Sequence, residues 1–420
     1  MRFFNAIIYT TIILVVFGCK SPKERGLNLV EKLEKECNSG EAYSCHTLAV
    51  KYELGEGVEM SRASAAKFYK MGCDLDHTKS CFGIAYMYEH GHGVETSFKD
   101  ANRLYKHLCD AKNEPKGCNN LGFNYHQGRG VEQSFQTANA LYKKACDAGY
   151  MTSCKNLGDS YKNGEDVEQS YERANALYRQ ACDAGEMRGC EALAINISAG
   201  LGAEESVERA NALFEKACRG GAPLSCHELG VSYELGTGVK QSYKDANELY
   251  KIACDEGEPS GCESLGDSYE LGQGIPQSHV RANELYEKAC DAGSASSCDS
   301  LGLAYFRGEG VEKSVERANQ LFRKACEGGE MLGCYNLAMS YEKGTGVEQS
   351  YERALELYNK ACDAEDVGSC EALAFLYDHG EGVEQSSAIA DQFHRKACDA
   401  GSETSCERFP HQDPEKPADE

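Results

Sequence analysis

The cysteines of this chain are set at regular intervals. One of the 23, Cys19, stands alone. The other twenty-two fall into eleven pairs: Cys37 and Cys45, Cys73 and Cys81, Cys109 and Cys118, Cys146 and Cys154, Cys182 and Cys190, Cys218 and Cys226, Cys254 and Cys262, Cys290 and Cys298, Cys326 and Cys334, Cys362 and Cys370, Cys398 and Cys406. Partners lie eight residues apart (nine for Cys109 and Cys118), and successive pairs begin 36 residues apart with a single interval of 37. A fixed period of this size marks an array of small units, each burying its apolar face against its neighbours. The length of 420 residues alone suggests roughly two or three compact domains. The period replaces that expectation with one array.

One unit shows the grammar. In Cys154–Cys182, the residues Cys154, Leu157, Gly158 and Tyr161 recur at i, i+3, i+4 and i+7, one face of a helix. Gly164 stops that helix, because glycine takes the left-handed conformation without a Cβ clash. Ser170 then caps a second helix, with Glu172 in its first turn where a carboxylate suits the helix dipole. Tyr171, Ala174, Leu177, Tyr178 and Ala181 form its apolar stripe, and Asp183-Ala184-Gly185 closes it. Each unit is thus a helical hairpin, small Ala and Gly letting the backbones approach. No segment has strand periodicity.

The pattern predicts an all-α α-solenoid of about ten 36-residue helical hairpins, spanning 45–398. The fifth unit is the most worn, with Ile197 in the Tyr slot and Ala203 in the Val slot. Before the array, 26–44 reads as a capping helix. After it, 399–406 reads as a final disulfide loop, and the polar, Pro-containing 407–420 reads as disordered.

The N-terminus carries its own message. Arg2 precedes the apolar run Ala6–Phe17, too short for a membrane span and suited to a signal-peptide core. The run ends in Gly18-Cys19, the pattern of a bacterial lipobox, so 1–18 reads as a lipoprotein signal peptide. Cys19 becomes the lipidated first residue, and 19–25 a tether. Lys20 in place of Asp favours the outer membrane by analogy with enteric bacteria. The expected location is the bacterial cell envelope, lipid-anchored, periplasmic or surface-exposed, where disulfides persist. A net charge of −23 argues against nucleic acid.

The elements LGxxY, GxGV and A…LY…A, with paired cysteines in every unit, resemble the Sel-one-like repeat (SLR), a relative of the tetratricopeptide repeat. Together with the lipobox, they are similar to the Helicobacter cysteine-rich protein family. That resemblance implies a right-handed superhelix. It also implies penicillin binding with weak β-lactamase activity, a hydrolase chemistry.

Two disulfide schemes are sterically natural in such an array. One joins each Cys to its neighbour eight residues on; the other joins the ends of a hairpin, such as Cys154 to Cys182. The local scheme uses all eleven pairs, whereas the other leaves Cys37 and Cys406 without partners. Counting therefore favours local bridges, and the family resemblance agrees. Each closes a loop of about nine residues, worth roughly 2.5 kcal/mol on the chain-entropy model. The spacing matches no common zinc site, and no metal or cofactor is expected.

No catalytic residue emerges. The one SxxK, Ser64–Lys67, lacks SDN and KTG companions. His90-Gly91-His92 has no acid in the metallo-β-lactamase position. His46, His227 and His279 sit at variable repeat positions and read as surface.

Binding is the alternative use of an array, on its concave face. The slot two residues after the recurrent Leu varies, and it includes Tyr86, Phe123, Asp159, Val231, Asp267, Leu303 and Met339. Just before that Leu sit Asn120, Asn156 and Asn336, at a slot where tetratricopeptide relatives hold a peptide backbone. These ten residues are the candidate ligand surface, unless the variable slot merely packs against neighbouring helices. The acidic exterior favours a neutral or basic protein or peptide partner. A β-lactam or peptidoglycan-derived ligand enters through the resemblance alone.

Overall fold

The computed structural model describes residues 22–408. Residues 1–18, expected to be a signal peptide, Cys19 and the end of the C-terminal tail lie outside the described residues. Every regular element among the described residues is a helix. The chain divides into two compact units, Met1–Gln180 and Ala181–Glu420.

In the first unit, Pro22–Asn38 precedes four hairpins. These pair Ala42–Leu54 with Arg62–Asp74, Thr78–His90 with Phe98–Ala111, Pro115–Gln127 with Phe135–Asp147, and Met151–Asn163 with Tyr171–Asp183, whose end passes the unit boundary. In the second unit, six hairpins follow: Met187–Ser198 with Val207–Arg219, Pro223–Leu235 with Tyr243–Asp255, Pro259–Leu271 with His279–Asp291, Ala295–Arg307 with Val315–Glu327, Met331–Lys343 with Tyr351–Cys362, and Val367–His379 with Ser387–Asp399. A short helix, Glu403–Glu407, closes the unit.

The two ends differ from expectation. The tether is shorter than residues 19–25, because Pro22 already opens a helix; its fixed φ suits a first helical turn. The capping helix ends at Asn38 rather than running to residue 44, and Ala42 begins the first repeat. At the other end, the loop expected over 399–406 contains the closing helix. Glu407 and Arg408 are structured, because Arg408 donates to Asp378 at 2.6 Å and to Asp391 at 2.8 Å.

The hairpins follow the local chemistry. Ser hydroxyls cap the second helices: Ser134 accepts from the Thr137 amide and Ser314 from the Arg317 amide, each at 3.2 Å. Gly164 ends a first helix at φ 74°, the left-handed region. Gly266 answers a different need, since a Cβ there would lie 2.7 Å from the Tyr286 ring. The cores are the Leu, Ala and Tyr stripes, with Tyr105, Tyr142, Tyr178, Tyr250, Tyr286 and Tyr358 among the largest fully buried side chains.

Three devices join consecutive hairpins. The first is a disulfide from each second helix, or from the N-terminal helix, to the helix that follows it. In the first unit Cys37 is bonded to Cys45, Cys73 to Cys81, Cys109 to Cys118 and Cys146 to Cys154. In the second unit Cys182 is bonded to Cys190, Cys218 to Cys226, Cys254 to Cys262 and Cys290 to Cys298. The same unit holds Cys326 bonded to Cys334, Cys362 to Cys370 and Cys398 to Cys406. The first-helix partners Cys45, Cys81, Cys190, Cys226, Cys262, Cys298 and Cys370 are all buried, so these sulfurs also fill the cores of the junctions they close.

The second device is an Asn of the second helix, which donates its side-chain amide to a carbonyl in the next hairpin's turn. Asn139 to Glu165, Asn283 to Glu309 and Asn319 to Thr345 are each 2.7 Å. The third is a Lys before the cysteine, which reaches back one repeat to a helix-terminal carbonyl. Lys288 Nζ donates to Cys254 O at 2.7 Å and Lys360 Nζ to Cys326 O at 2.9 Å.

Candidate binding surface on the first helices

The second helices repeat because they carry the joints. The first helices carry the variation, in two kinds of position. The residue directly after the first-helix cysteine faces the next repeat in several units. His46 stands 4.8 Å from the His77 ring and 5.6 Å from Tyr69. His227 lies 5.6 Å from the Tyr250 ring and 3.2 Å from the Ser264 hydroxyl. Both histidines therefore fill junctions rather than the surface expected of them. Burial, with His77 and Lys79 close by, holds the His46 pKa below its ordinary value.

The equivalent residue in the third repeat is Asn119, which accepts from the Ser153 hydroxyl at 2.8 Å and the Asn156 amide at 3.0 Å. In the eighth repeat it is Asp299, which accepts from Asn336 at 2.9 Å and is 4% exposed. Burial, with Glu330 adding repulsion and the Asn336 bond opposing, raises the Asp299 pKa to about 6. Asn156 and Asn336 were expected to grip a peptide backbone. Both amides instead donate across a repeat junction, and Asn336 is itself buried. Asn120 accepts from Asn119 at 3.2 Å.

The slot two residues after the Leu looks outward to different degrees. Tyr86 is exposed, its ring stacked on His90 at 4.0 Å. Phe123 is exposed beneath the Arg129 guanidinium at 5.2 Å. Asp159 is committed internally, accepting from Lys155 at 2.7 Å and from the Tyr178 phenol at 2.8 Å. Asp267 is exposed and accepts from Tyr286 at 2.7 Å. Val231 packs beside the Tyr250 core. Leu303 and Met339 differ again: with Asn336 they line a cleft of about 330 Å³. Of the ten candidate residues, these three share that cleft.

A pairing of buried phenols with carboxylates runs through the hairpins and explains the cleft. The second-helix Tyr donates to a Glu of the first helix: Tyr105 to Glu89 and Tyr358 to Glu342, each at 2.7 Å. Burial pushes these phenol pKa values far up. In the eighth repeat the phenol is replaced by Phe322 and the carboxylate by Phe306, so neither polar group is needed. Both rings line the cleft. The signal was present in the sequence as a paired departure sixteen residues apart.

The suggested serine chemistry finds no arrangement here. The Ser64 hydroxyl accepts from Ser61 at 2.9 Å, and the Lys67 ammonium lies over the Phe68 ring at 5.1 Å. Among the described residues, no group of three or more His, Cys, Asp or Glu side chains is arranged to hold a metal ion. Among them, too, no helix is long and apolar enough to cross a membrane.

Stapled hairpins with a repeating joint layer and a varying outer layer define a helical-repeat scaffold, a class built for contact with other proteins. The chain belongs to the Sel1 repeat family, whose model matches residues 42–77, 78–113, 115–150, 152–186, 188–221, 223–258, 259–294, 295–330, 332–366 and 368–402. Its disulfide-bridged repeats fit the Helicobacter cysteine-rich branch. A similar solved structure is a protective antigen of uropathogenic Escherichia coli displaying an SLR fold. It is 26% identical, with 90% of this chain and 80% of that chain covered and a TM-score of 0.57. A Sel1 repeat protein from Oxalobacter formigenes shares the fold at 23% identity, covering 58% of this chain and 99% of its own, with a TM-score of 0.55. No curated protein matches the sequence.

Proposed function

We propose that this chain is an envelope-anchored scaffold that binds protein or peptide partners through the first-helix surface. One observation carries the reading. The joint-forming residues recur from repeat to repeat, while the outward slot runs through Tyr86, Phe123, Asp267, Leu303 and Met339. A rigid frame with non-repeating decoration gives each position along the array its own chemistry. The lipobox at Cys19 supplies the anchor, and eleven disulfides suit a compartment outside the cytoplasm. Over most of the acidic exterior, neutral or basic partners are favoured.

The test is site-specific photocrosslinking in cell envelopes. A crosslinker at position 86, 123 or 339 should capture discrete partner bands, and one at exposed Lys251 of a second helix should not. Equal capture from both faces would overturn the reading. A Cys19→Ser chain should leave the membrane fraction; if it stays bound, the anchor is elsewhere. β-Lactam hydrolysis rests on family resemblance, and purified oxidised protein should not turn over a chromogenic cephalosporin. Robust turnover abolished by one point substitution would replace the scaffold with an enzyme.

A further inference from the structure

The eighth repeat departs from the pattern at four places that converge. Phe306 and Phe322 replace the carboxylate–phenol pair. Lys313 stands where six other repeats carry a Gln, which in the ninth donates to a first-helix carbonyl, Gln349 to Glu342 O at 2.8 Å. Arg307 occupies the last turn of the first helix, where the two preceding repeats have Leu235 and Leu271. The ninth repeat adds Met339 and Lys343 at the corresponding outward slots.

The result is an apolar cleft with a cationic rim. Leu303, Phe306, Phe322 and Met339 supply apolar walls, and Arg307 and Lys343 line it as well. Lys313 Nζ stands 5.8 Å from the centre of the Phe306 ring. The carboxylates nearby are largely engaged: Glu342 accepts from Tyr358, and Glu309 lies 3.7 Å from Arg307. Two cations, Arg307 and Lys343, thus line the cleft with no carboxylate among its lining residues, and Asp299 stands behind Asn336, in a chain with 67 acidic and 44 basic residues.

We infer that this cleft docks a partner-protein segment in which an apolar side chain adjoins a carboxylate, either Asp or Glu or a chain terminus. The assignment rests on the scaffold reading and specifies its partner at one position. The apolar side chain enters between Leu303 and Met339, and the carboxylate meets Arg307 and Lys343. A volume of about 330 Å³ lies at the small end of ligand pockets, suited to one or two side chains. The sign opposes the preference of the surrounding acidic surface, so the cleft selects a segment that the rest of the exterior repels.

The experiment uses the full oxidised chain to select from a random twelve-residue peptide library displayed on phage. Enriched sequences should place Leu, Ile, Met or Phe beside Asp or Glu. In fluorescence anisotropy, a labelled enriched peptide should lose at least tenfold in affinity on Arg307→Glu with Lys343→Glu. It should lose a similar amount on Met339→Ala, and little on Lys251→Glu. Binding should also weaken as salt is raised. Enrichment of basic sequences, or direct binding of oleate with no acidic–apolar peptide enriched, would overturn the assignment. Peptides that bind but ignore the cleft variants would overturn it while leaving the scaffold reading intact. If no peptide binds at any face, both fail.

Discussion

The junction between the third and fourth repeats and that between the eighth and ninth share one backbone design and differ in chemistry. In the former, Asn119 is held by Ser153 and Asn156, Phe123 is covered by Arg129, and Asp159 is consumed by Lys155 and Tyr178. In the latter, the same positions hold Asp299, Leu303 and Met339, and Gly333 stands where Ser153 supplied a donor. At the first junction these three side chains find their partners within the chain. The other buries a carboxylate with one side-chain donor and leaves an apolar cleft open. The repeat pattern therefore fixes position and leaves each junction free to be either sealed or receptive.

The largest expected effect exchanges the two junction residues. Asp299 titrates at about 6 in the folded chain against 3.8 for the free side chain. A raised carboxyl pKa means the folded state holds its proton more tightly. The penalty is absent below about pH 4, grows through pH 4–6 and is complete above it. Asp299→Asn should then stabilise the second unit by on the order of 3 kcal/mol at pH 7.5 and leave it unchanged at pH 3.5. Denaturant melts across that range measure it. Asn119→Asp should destabilise the first unit at neutral pH, by less, because two donors await the carboxylate. Equal pH profiles for wild type and Asp299→Asn would erase the contrast.

Removing a staple tests whether the contrast reaches the frame. Cys146→Ser with Cys154→Ser, and Cys326→Ser with Cys334→Ser, should each cost about 2.5 kcal/mol on the loop-entropy model. Similar losses by local hydrogen exchange confine the difference to the side chains. A cost several times larger at one junction would mean that the staples differ too.

The aromatic replacement makes the next contrast. Phe322→Tyr alone buries a phenol without its carboxylate, at about 1–3 kcal/mol. Adding Phe306→Glu should restore much of that loss, and a double-mutant cycle reads the coupling. The double variant should also close the cleft to peptide. The smallest effect is shared: Asn139→Ala and Asn319→Ala each leave one turn carbonyl without its donor, at about 1 kcal/mol. A loss confined to one of them would break the equivalence of the two junctions.

The hairpins were legible because each residue of the grammar has a local cause: a Ser cap, a glycine stop, an apolar stripe at helical spacing. The joint-forming Asn was equally visible, as in Ala138-Asn139 and Ala318-Asn319, yet its meaning was not. Its acceptor is a backbone carbonyl 26 residues on, and no side-chain pattern marks a carbonyl. Asn156 and Asn336 show the opposite failure. Their residue type suggested a peptide grip, but across the junction stood Asn119 and Asp299, placed there by stacking rather than by sequence proximity. The cleft was hidden because Leu303 and Met339 read singly as variation and Asn336 as a peptide grip, while Phe306 and Phe322 differ from their counterparts only as a pair sixteen residues apart. Only their placement on one opening joins them.

The bridges also bear on how such a chain acquires its form. Each described cysteine is bonded to its neighbour in the order of cysteines along the chain, never to a more distant one. A polypeptide threaded amino end first into an oxidising space presents these thiols in order. A ten-residue loop closes in about 10–100 ns, so the oxidant sets the rate of bridging, and synthesis at about 5–20 residues per second leaves it roughly 2–7 s before the following pair, 36 residues on, arrives. An oxidant that acts within that interval joins each pair before the next thiols arrive and makes the native set without reshuffling. Repeats can be added at the carboxyl end without disturbing those already closed.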